Sequence, residues 1–447
     1  MQQFTINLPT LKEIEMALFR KLQEQFAEAM VRILEELDQW TMEKRDRARY
    51  RMQERRKVSL STLFGEITFS RRMYKDRQKG CYVYLLDQVL GFDGENMISP
   101  QLEELAIELA SKGPSYRASA SMIEQFLGYP ALSHETIRSR LLSCAGPSEP
   151  APQEKRKARV LFVEVDGLYT HLQRNRRQGM ENRIAVVHEG WKREGERTSL
   201  LHKRYYLHTG KESFWEGFGD FLIKHYDIDE ETWLVVNGDG AEWIGECTSY
   251  FHRCVYTLDR FHVARDLRRY LKDLPDRWDA AYQALKAYDP KALLGVLETV
   301  GKEDMPEEYW EDWGKFKAFL KRHREHLRDY RTKLREAGID TSGMRPMGSA
   351  ESQMQVMAKR TKHGGYSWSV SGVRAMLHTI MARQEGRSVV ANPAPKSEQR
   401  KLPPVRVREI LKKSKQSVTG YVNGMIRLLR TSAQSSPTGR ALKGLRG

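Results

Sequence analysis

Residues 232–244 read TWLVVNGDGAEWI, and residues 160–167 read VLFVEVDG. Each is a short, apolar, β-branched run that stops at an aspartate beside glycine: Asp239 between Gly238 and Gly240, and Asp166 before Gly167. Short apolar runs bounded by turn residues read as buried strands. Asp-Gly is also ordinary turn chemistry, so either site alone marks a strand end. Two lone carboxylates at the ends of two core strands raise the question of a shared purpose.

The surrounding pattern supplies one. Strands are expected near 160–166, 183–189, 203–208, 232–237 and 254–258, with a helix over roughly 212–225, another after Gly240, and persistent helix from Asp259 to about 337. Three strands, a helix, then two strands each followed by a helix is the order of an RNase H-like α/β core with a mixed five-stranded sheet. In that order the first and fourth strands are central neighbours, about 5 Å apart. Asp166 and Asp239 would then meet at their carboxyl ends. Two such charges repel unless a cation lies between them, and Mg²⁺ or Mn²⁺ suits oxygen donors. The flanking glycines are expected to leave room for a phosphate or ligand backbone.

Two-ion phosphoryl chemistry uses metals roughly 3.5–4 Å apart and a further acid. Glu351 is the candidate: it falls one turn into a helix begun at Ser349, after a break at Arg345-Pro346-Met347-Gly348. On its own it is an ordinary first-turn carboxylate favoured by the helix dipole. Lys359, Arg360 and Lys362 follow and are expected to meet a DNA backbone. In LDRFHV (258–263), Asp259 and His262 stand about one helical turn apart and are candidates to orient a phosphate or a water beside the metals.

Upstream, residues 10–50 read as one amphipathic helix capped by Thr10, without clean heptads. Residues 58–86 read as a small antiparallel sheet followed by Arg71, Arg72, Lys75, Arg77 and Lys79. Residues 115–143 have a helix-turn-helix outline, with Ser115 and Ser133 as caps and Gly128 and Pro130 as breakers; the second helix would present His134, Glu135, Arg138 and Arg140. GPSEPAPQEKRKAR (146–159) reads as a linker.

The 447 residues carry a net charge of +16, with 40% hydrophobic and 30% charged side chains. From Arg387 onward there are 14 Lys/Arg against 2 Glu, so most of the excess sits in the last sixty or so residues. A basic tail on a near-balanced body favours a polyanion, most simply nucleic acid. A basic amphipathic helix is expected within 405–430. No run is long and apolar enough to cross a bilayer, and MQQFTINLPTLKEIEM lacks a signal-peptide core; a soluble, cytoplasmic, nucleoid-associated protein is expected. The four cysteines form no CxxC pair, which argues against a disulfide framework and a cysteine zinc site.

VEVDGLY (163–169), VVNGDGAEWI (235–244), LDRFHV and GSAESQM (348–354) resemble the motifs of bacterial DDE transposases, in particular the insertion-sequence family founded on the ISLre element, akin to Mutator-like transposases. FGEITFSRR (64–72), GPSYRAS (113–119), LSHETIR (132–138) and YSWSVSG (366–372) share the resemblance, which spans about 55–385. It implies Asp166, Asp239 and Glu351 as an acidic triad holding two Mg²⁺ or Mn²⁺ ions, with Asp259 and His262 as an accessory D-x-x-H element. It implies metal-dependent cleavage and joining of double-stranded DNA at the terminal repeats of an element and at target DNA. The gap from Asp239 to Glu351 implies a helical insertion.

The expected organisation is multidomain α+β. A long helix (1–55) serving as an oligomer contact precedes a small β region (56–98), a helix-turn-helix region (99–145) and a linker (146–159). The core's first part (160–262), a helical insertion (263–345), the core's final helix region (346–386) and the basic tail (387–447) complete it. Arg71, Arg72, His134, Arg138, Arg140, Lys359, Arg360 and Lys362 are the expected DNA contacts, and a homodimer on DNA the expected assembly. A nuclease or resolvase on the same fold, or a DNA-binding regulator with vestigial acids, are the alternatives.

Overall fold

The computed structural model describes residues 10–92, 97–144, 154–174 and 179–388. The expected tail helix and most of the expected linker lie outside them. The described residues up to Arg140 form one compact unit, and Leu141–Arg387 form a second. None of the described helices is long and apolar enough to cross a membrane.

In the first unit Thr10 opens α1 (Leu11–Lys44) through a capping box: its hydroxyl accepts from Glu13 N, and the Glu13 carboxylate accepts from Thr10 N. The helix stops at Lys44, short of the expected residue 50, because Tyr50 already belongs to a strand. β1 (Tyr50–Thr62) pairs antiparallel with β2 (Gly65–Asp76), and β3 (Tyr82–Tyr84) adds to β2. The stretch YRMQERRK has little apolar alternation of its own; its conformation comes from register with β2, a long-range pairing that local pattern does not reveal. Val58, Leu60, Ile67 and Phe69 pack on Leu34 and Leu37 of α1. Beyond β3, the β2 backbone N–H groups of Ser70 and Arg72 donate to Glu35 and Asp38 of α1.

Short α2 (Leu85–Leu90) and α3 (Pro100–Lys112) lead to α4 (Tyr116–Leu127) and α5 (His134–Cys144). Ser115 caps α4, Gly128 closes it at φ 77°, and the Ser133 hydroxyl accepts from Thr136 N to open α5. The helical hairpin therefore stands where the Ser, Gly and Pro signals place it.

The second unit is built on a mixed five-stranded sheet. Its strands are β4 (Val160–His171), β5 (Gly179–His188), β8 (Arg204–Leu207), β9 (Trp233–Gly238) and β10 (Cys254–Leu258), in the order β10-β9-β4-β5-β8. β5 runs antiparallel to both neighbours; β4, β9 and β10 run parallel. The first and fourth core strands are therefore paired, as expected. A hairpin of β6 (Trp191–Glu194) and β7 (Arg197–Leu200) interrupts the sequence after β5; its polar residues hide it from a search for buried strands.

Strand parity organises the sheet. Leu161, Val163, Val165, Leu234, Val236 and Tyr256 face one side, against Phe214, Phe218 and Leu222 of α6 (Phe214–His225). Two single-turn helices, α7 (Glu242–Gly245) and α8 (Cys247–Tyr250), follow β9 on that side, bringing Ile244 and Cys247 to the same core. Val160, Phe162, Val235 and Val255 face the other side, against α13 (Tyr330–Glu336). Between β10 and α13 lie α9 (Arg260–Leu271), α10 (Pro275–Lys286), α11 (Pro290–Glu298) and α12 (Glu307–Arg322), with their own core around Leu267, Leu285, Leu297, Trp313 and Leu320. α14 (Ala350–Thr361) and α15 (Val370–Gln384) complete the unit.

Candidate metal centre

Parity carries the polar residues as well as the core. Glu164 and Asp166 continue the Phe162 side of β4, Asn237 and Asp239 the Val235 side of β9, and Thr257 and Asp259 the Val255 side of β10. Three parallel strands therefore present six residues able to accept hydrogen bonds on one side. Asp239 and Asp259 lie just past the ends of β9 and β10, whereas β4 does not stop at 166 as expected but runs on to His171, paired with β5.

Asp166 meets two partners brought from far along the chain. Ligand atoms of Asp166, His262 and Glu351 all lie within 4.8 Å of one another, the one such three-residue group of acids, histidines and cysteines among the described residues. His262 rises from the first turn of α9, and Glu351 from the first turn of α14. His262 Nε2 stands 3.7 Å from a Glu351 oxygen, while its Nδ1 is buried without a hydrogen-bond partner. The other Glu351 oxygen accepts from Gln355 at 3.2 Å.

The electrostatics suit a cation. Asp166 accepts from Gly167 N at 2.7 Å, and no lysine or arginine among the described residues lies within ion-pair distance of it. Burial pushes its carboxyl up to about 6; the Gly167 bond and His262 oppose that, while Asp239 and Glu351 add to it. A half-buried acid crowded by two further acids lacks positive charge at neutral pH. Two carboxylates and an imidazole form a donor set for a divalent ion, and the imidazole shifts preference from Mg²⁺ toward Mn²⁺.

Asp239 stands beside this group but outside it. It is exposed, and its Oδ1 accepts from Ala241 N at 2.9 Å, the turn role that Asp-Gly chemistry offers. Asp259 is also outside. It caps α9, accepting from Phe261 N at 2.8 Å, and is only 1% exposed, with its second oxygen unpartnered; burial raises its carboxyl. It accompanies the centre from within the fold.

The expected role of the glycines needs correction. A Cβ on Gly240 (φ 97°) would stand 2.7 Å from Phe319 Cε2, one on Gly238 2.6 Å from Ile244 Cγ2, and one on Gly167 2.6 Å from a Glu181 oxygen. At Gly238 and Gly240 the space a Cβ would fill is held by Ile244 and Phe319, while at Gly167 it is approached by the flexible end of Glu181.

A family model described as "Uncharacterised protein family (UPF0236)" matches residues 5–396. The chain belongs to this family. A UPF0236 protein "in vanSb 3'region" of Streptococcus gallolyticus is 28% identical over 388 residues, covering 84% of this chain and 83% of that protein. Two UPF0236 proteins of Caldanaerobacter subterraneus subsp. tengcongensis are also similar. One is 24% identical over 356 residues, covering 75% of this chain and 74% of the relative, under a name joining four designations. The other is 27% identical over 293 residues, covering 63% and 60%, under a name joining eleven.

The expected DNA contacts divide by burial. Arg71 is 5% exposed, bonded to Asp87 and stacked 3.9 Å from the Tyr84 ring centroid. Arg72 donates to Asp38 at 2.6 Å and to Gln39 at 2.6 Å. Arg140 pairs with Glu103, and Arg360, 5% exposed, lies over Tyr366 and Trp368. Arg71 and Arg360 are buried, so the expectation that they contact phosphate is corrected; Arg72 and Arg140 are half-buried and ion-paired within the protein. His134, Lys359 and Lys362 are exposed, as is Arg138, which pairs with Glu135 one turn away. Sequence reasoning missed Arg51, Arg55, Arg56 and Lys57, exposed on β1, because that stretch was read partly as helix. It also missed Glu164, a wholly buried acid two residues before Asp166; an acid in phase with Asp166 inside VLFVEVDG was the available signal.

Proposed function

We propose that the chain is a DDE-type DNA transposase: a divalent-metal-dependent enzyme that cleaves DNA strands and joins the resulting 3′-hydroxyls to a target. The observation that carries this reading is the meeting of Asp166, inside β4, with His262 and Glu351, in the first turns of two helices far apart in sequence. The strand order, with its antiparallel second strand and parallel first, fourth and fifth, agrees with an RNase H-like core. The helices between His262 and Glu351 agree with an insertion in that core. A single name serving eleven designations in one organism fits a gene carried in many copies.

Asp166, Glu351 and His262 Nε2 would hold one ion. A bound ion would supply Lewis-acid stabilisation of a phosphoryl oxygen and lower the pKa of the attacking water or hydroxyl. Asp239, adjacent and exposed, would complete the coordination or hold a second ion when DNA enters. Water attacks phosphorus and the bond to the departing 3′-oxygen breaks; the freed 3′-hydroxyl then attacks a target phosphorus in the same way. Lys359 and Lys362 follow Glu351 and would contact phosphates near the centre.

The test is a cleavage and joining assay on DNA carrying the gene's own flanking sequence, with Mn²⁺ or Mg²⁺, comparing the full chain with Asp166→Asn and Glu351→Gln. Joined product that disappears in both variants is the expected result. Cleavage without joining would favour a nuclease or resolvase, and tight metal-independent binding without turnover a regulator. Equal activity in all three proteins would remove the site.

A further inference from the structure

We propose that Glu164 is the positioning residue of this centre: it touches none of the three candidate ligands, yet fixes the elements that carry them. The inference rests on the metal-centre reading above. Glu164 is 0% exposed, on β4 two residues before Asp166. One carboxylate oxygen accepts from Gly348 N at 3.0 Å, Ser349 N at 2.9 Å and Ser349 Oγ at 3.0 Å. The other accepts from Asn237 Nδ2 at 2.8 Å. Asn237 Oδ1 in turn accepts from Thr257 Oγ1 at 3.1 Å. A single buried chain thus joins β4, β9, β10 and the start of α14.

Local structure bends to serve this network. Gly348 adopts φ 134°, a region that favours glycine, as it presents its N–H to Glu164. Ser349 stands at the N-cap of α14, but its hydroxyl bonds Glu164 instead of capping its own helix. Glu351 is two residues further on, so the depth of this anchor sets where its carboxylate meets Asp166 and His262. A fully satisfied buried polar network specifies one geometry, because any slip leaves a donor or acceptor unpaired in a poor solvent. Groups outside a metal's ligand shell that orient the ligands typically change affinity about 10–100-fold when removed.

The test is Mn²⁺ binding to the full-length chain, read by electron paramagnetic resonance of the free ion. Asp166→Asn is the control for the centre itself and is expected to abolish site binding. Glu164→Gln is expected to weaken binding about 10–100-fold, since its amide would face the Asn237 amide donor to donor. Asn237→Asp is also expected to weaken binding, although it adds a negative charge, because two acceptors then face each other. Glu164→Gln combined with Asn237→Asp reverses the polarity of the bond and is expected to restore affinity. Ser349→Ala, which keeps both backbone bonds, gives a milder loss in a folded protein.

Wild-type affinity in folded Glu164→Gln or in Ser349→Ala would overturn the positioning role while leaving the centre standing. Tighter binding in Asn237→Asp would also overturn it, because affinity would then be following net charge rather than geometry. Absence of site binding in the wild type, with Asp166→Asn no different, would overturn the centre and this inference together.

Discussion

Burial makes Asp166, the acid most central to the candidate metal centre, a source of instability in the absence of a cation. Burial pushes the Asp166 carboxyl from 3.8 to about 6. A folded-state pKa above the unfolded value means that the folded protein holds the proton more tightly. The contribution is therefore fully present below about pH 4 and is lost as pH rises through about 6. A shift of about two units corresponds to about 3 kcal/mol between the protonated and ionised limits. Asp166→Asn keeps the oxygen that accepts from Gly167 N and removes the charge. In chelator at pH 7.5 the variant should be more stable than wild type by up to about 3 kcal/mol, and near pH 4 the two should be alike. Urea unfolding of the full chain at several pH values measures this directly. Mn²⁺ should reverse the order at pH 7.5, raising wild type and leaving the variant unchanged. A variant less stable than wild type at every pH by the same amount would refute the reasoning, because the carboxylate would then be a structural partner and not a charge waiting for a cation.

Four further outcomes follow from the same coordinates. Mn²⁺ affinity should fall about tenfold per pH unit below about pH 6, as a proton competes for Asp166, and level off above it; a titration calorimetry series checks the slope. Gly240→Ala should lower stability by about 1–3 kcal/mol, since its φ of 97° and the approach of Phe319 both exclude a Cβ; an unchanged melting temperature would contradict the packing. Arg71→Ala should lower stability by breaking the buried ion pair with Asp87, seen as a lower urea midpoint; an unchanged midpoint would contradict a structural role for the pair. Lys359→Ala and Lys362→Ala should leave the urea midpoint in place and weaken duplex DNA binding, each reducing the salt slope by about one; a salt-independent affinity would remove DNA from their role.

What the sequence revealed, and what it hid, divides along the range of the interactions involved. Helix caps are local, so Ser115, Gly128 and the start of α14 were legible from spacing alone, whereas the strand expected to stop at Asp166 runs on to His171 because β5 pairs with it there. The pairing of the first and fourth core strands followed from element order, and with it the expectation that remote acids would converge. The arginines went differently because their fate is set by acids elsewhere in the chain: Asp38 and Asp87 claim Arg72 and Arg71, and no local pattern near Arg71 announces either. Exposed cations lie instead on the strand opposite, where register with β2 places Arg55 across from Arg72 and Arg56 across from Arg71; Arg55 pairs with Glu35 and Arg56 with Glu54.

Asp239 teaches the same lesson at the centre. Its spacing marks it as the partner of Asp166, yet its carboxylate is held by the turn that also provides its position. Glu164, which spacing alone passes over as a core residue, takes the buried place between the strands. The difference comes from depth of burial: a wholly buried acid such as Glu164 must satisfy its oxygens within the protein, whereas half-buried Asp166 and exposed Asp239 remain open to solvent and ions. On the proposed reading the fixed acid would set the frame, the half-buried Asp166 would bind an ion, and the exposed Asp239 would answer to DNA. Asp239→Asn should accordingly change Mn²⁺ affinity of the free protein less than Asp166→Asn does, while reducing turnover on DNA as severely. Equal loss of ion binding in the two variants would place both acids in the resting centre and refute the ordering by depth.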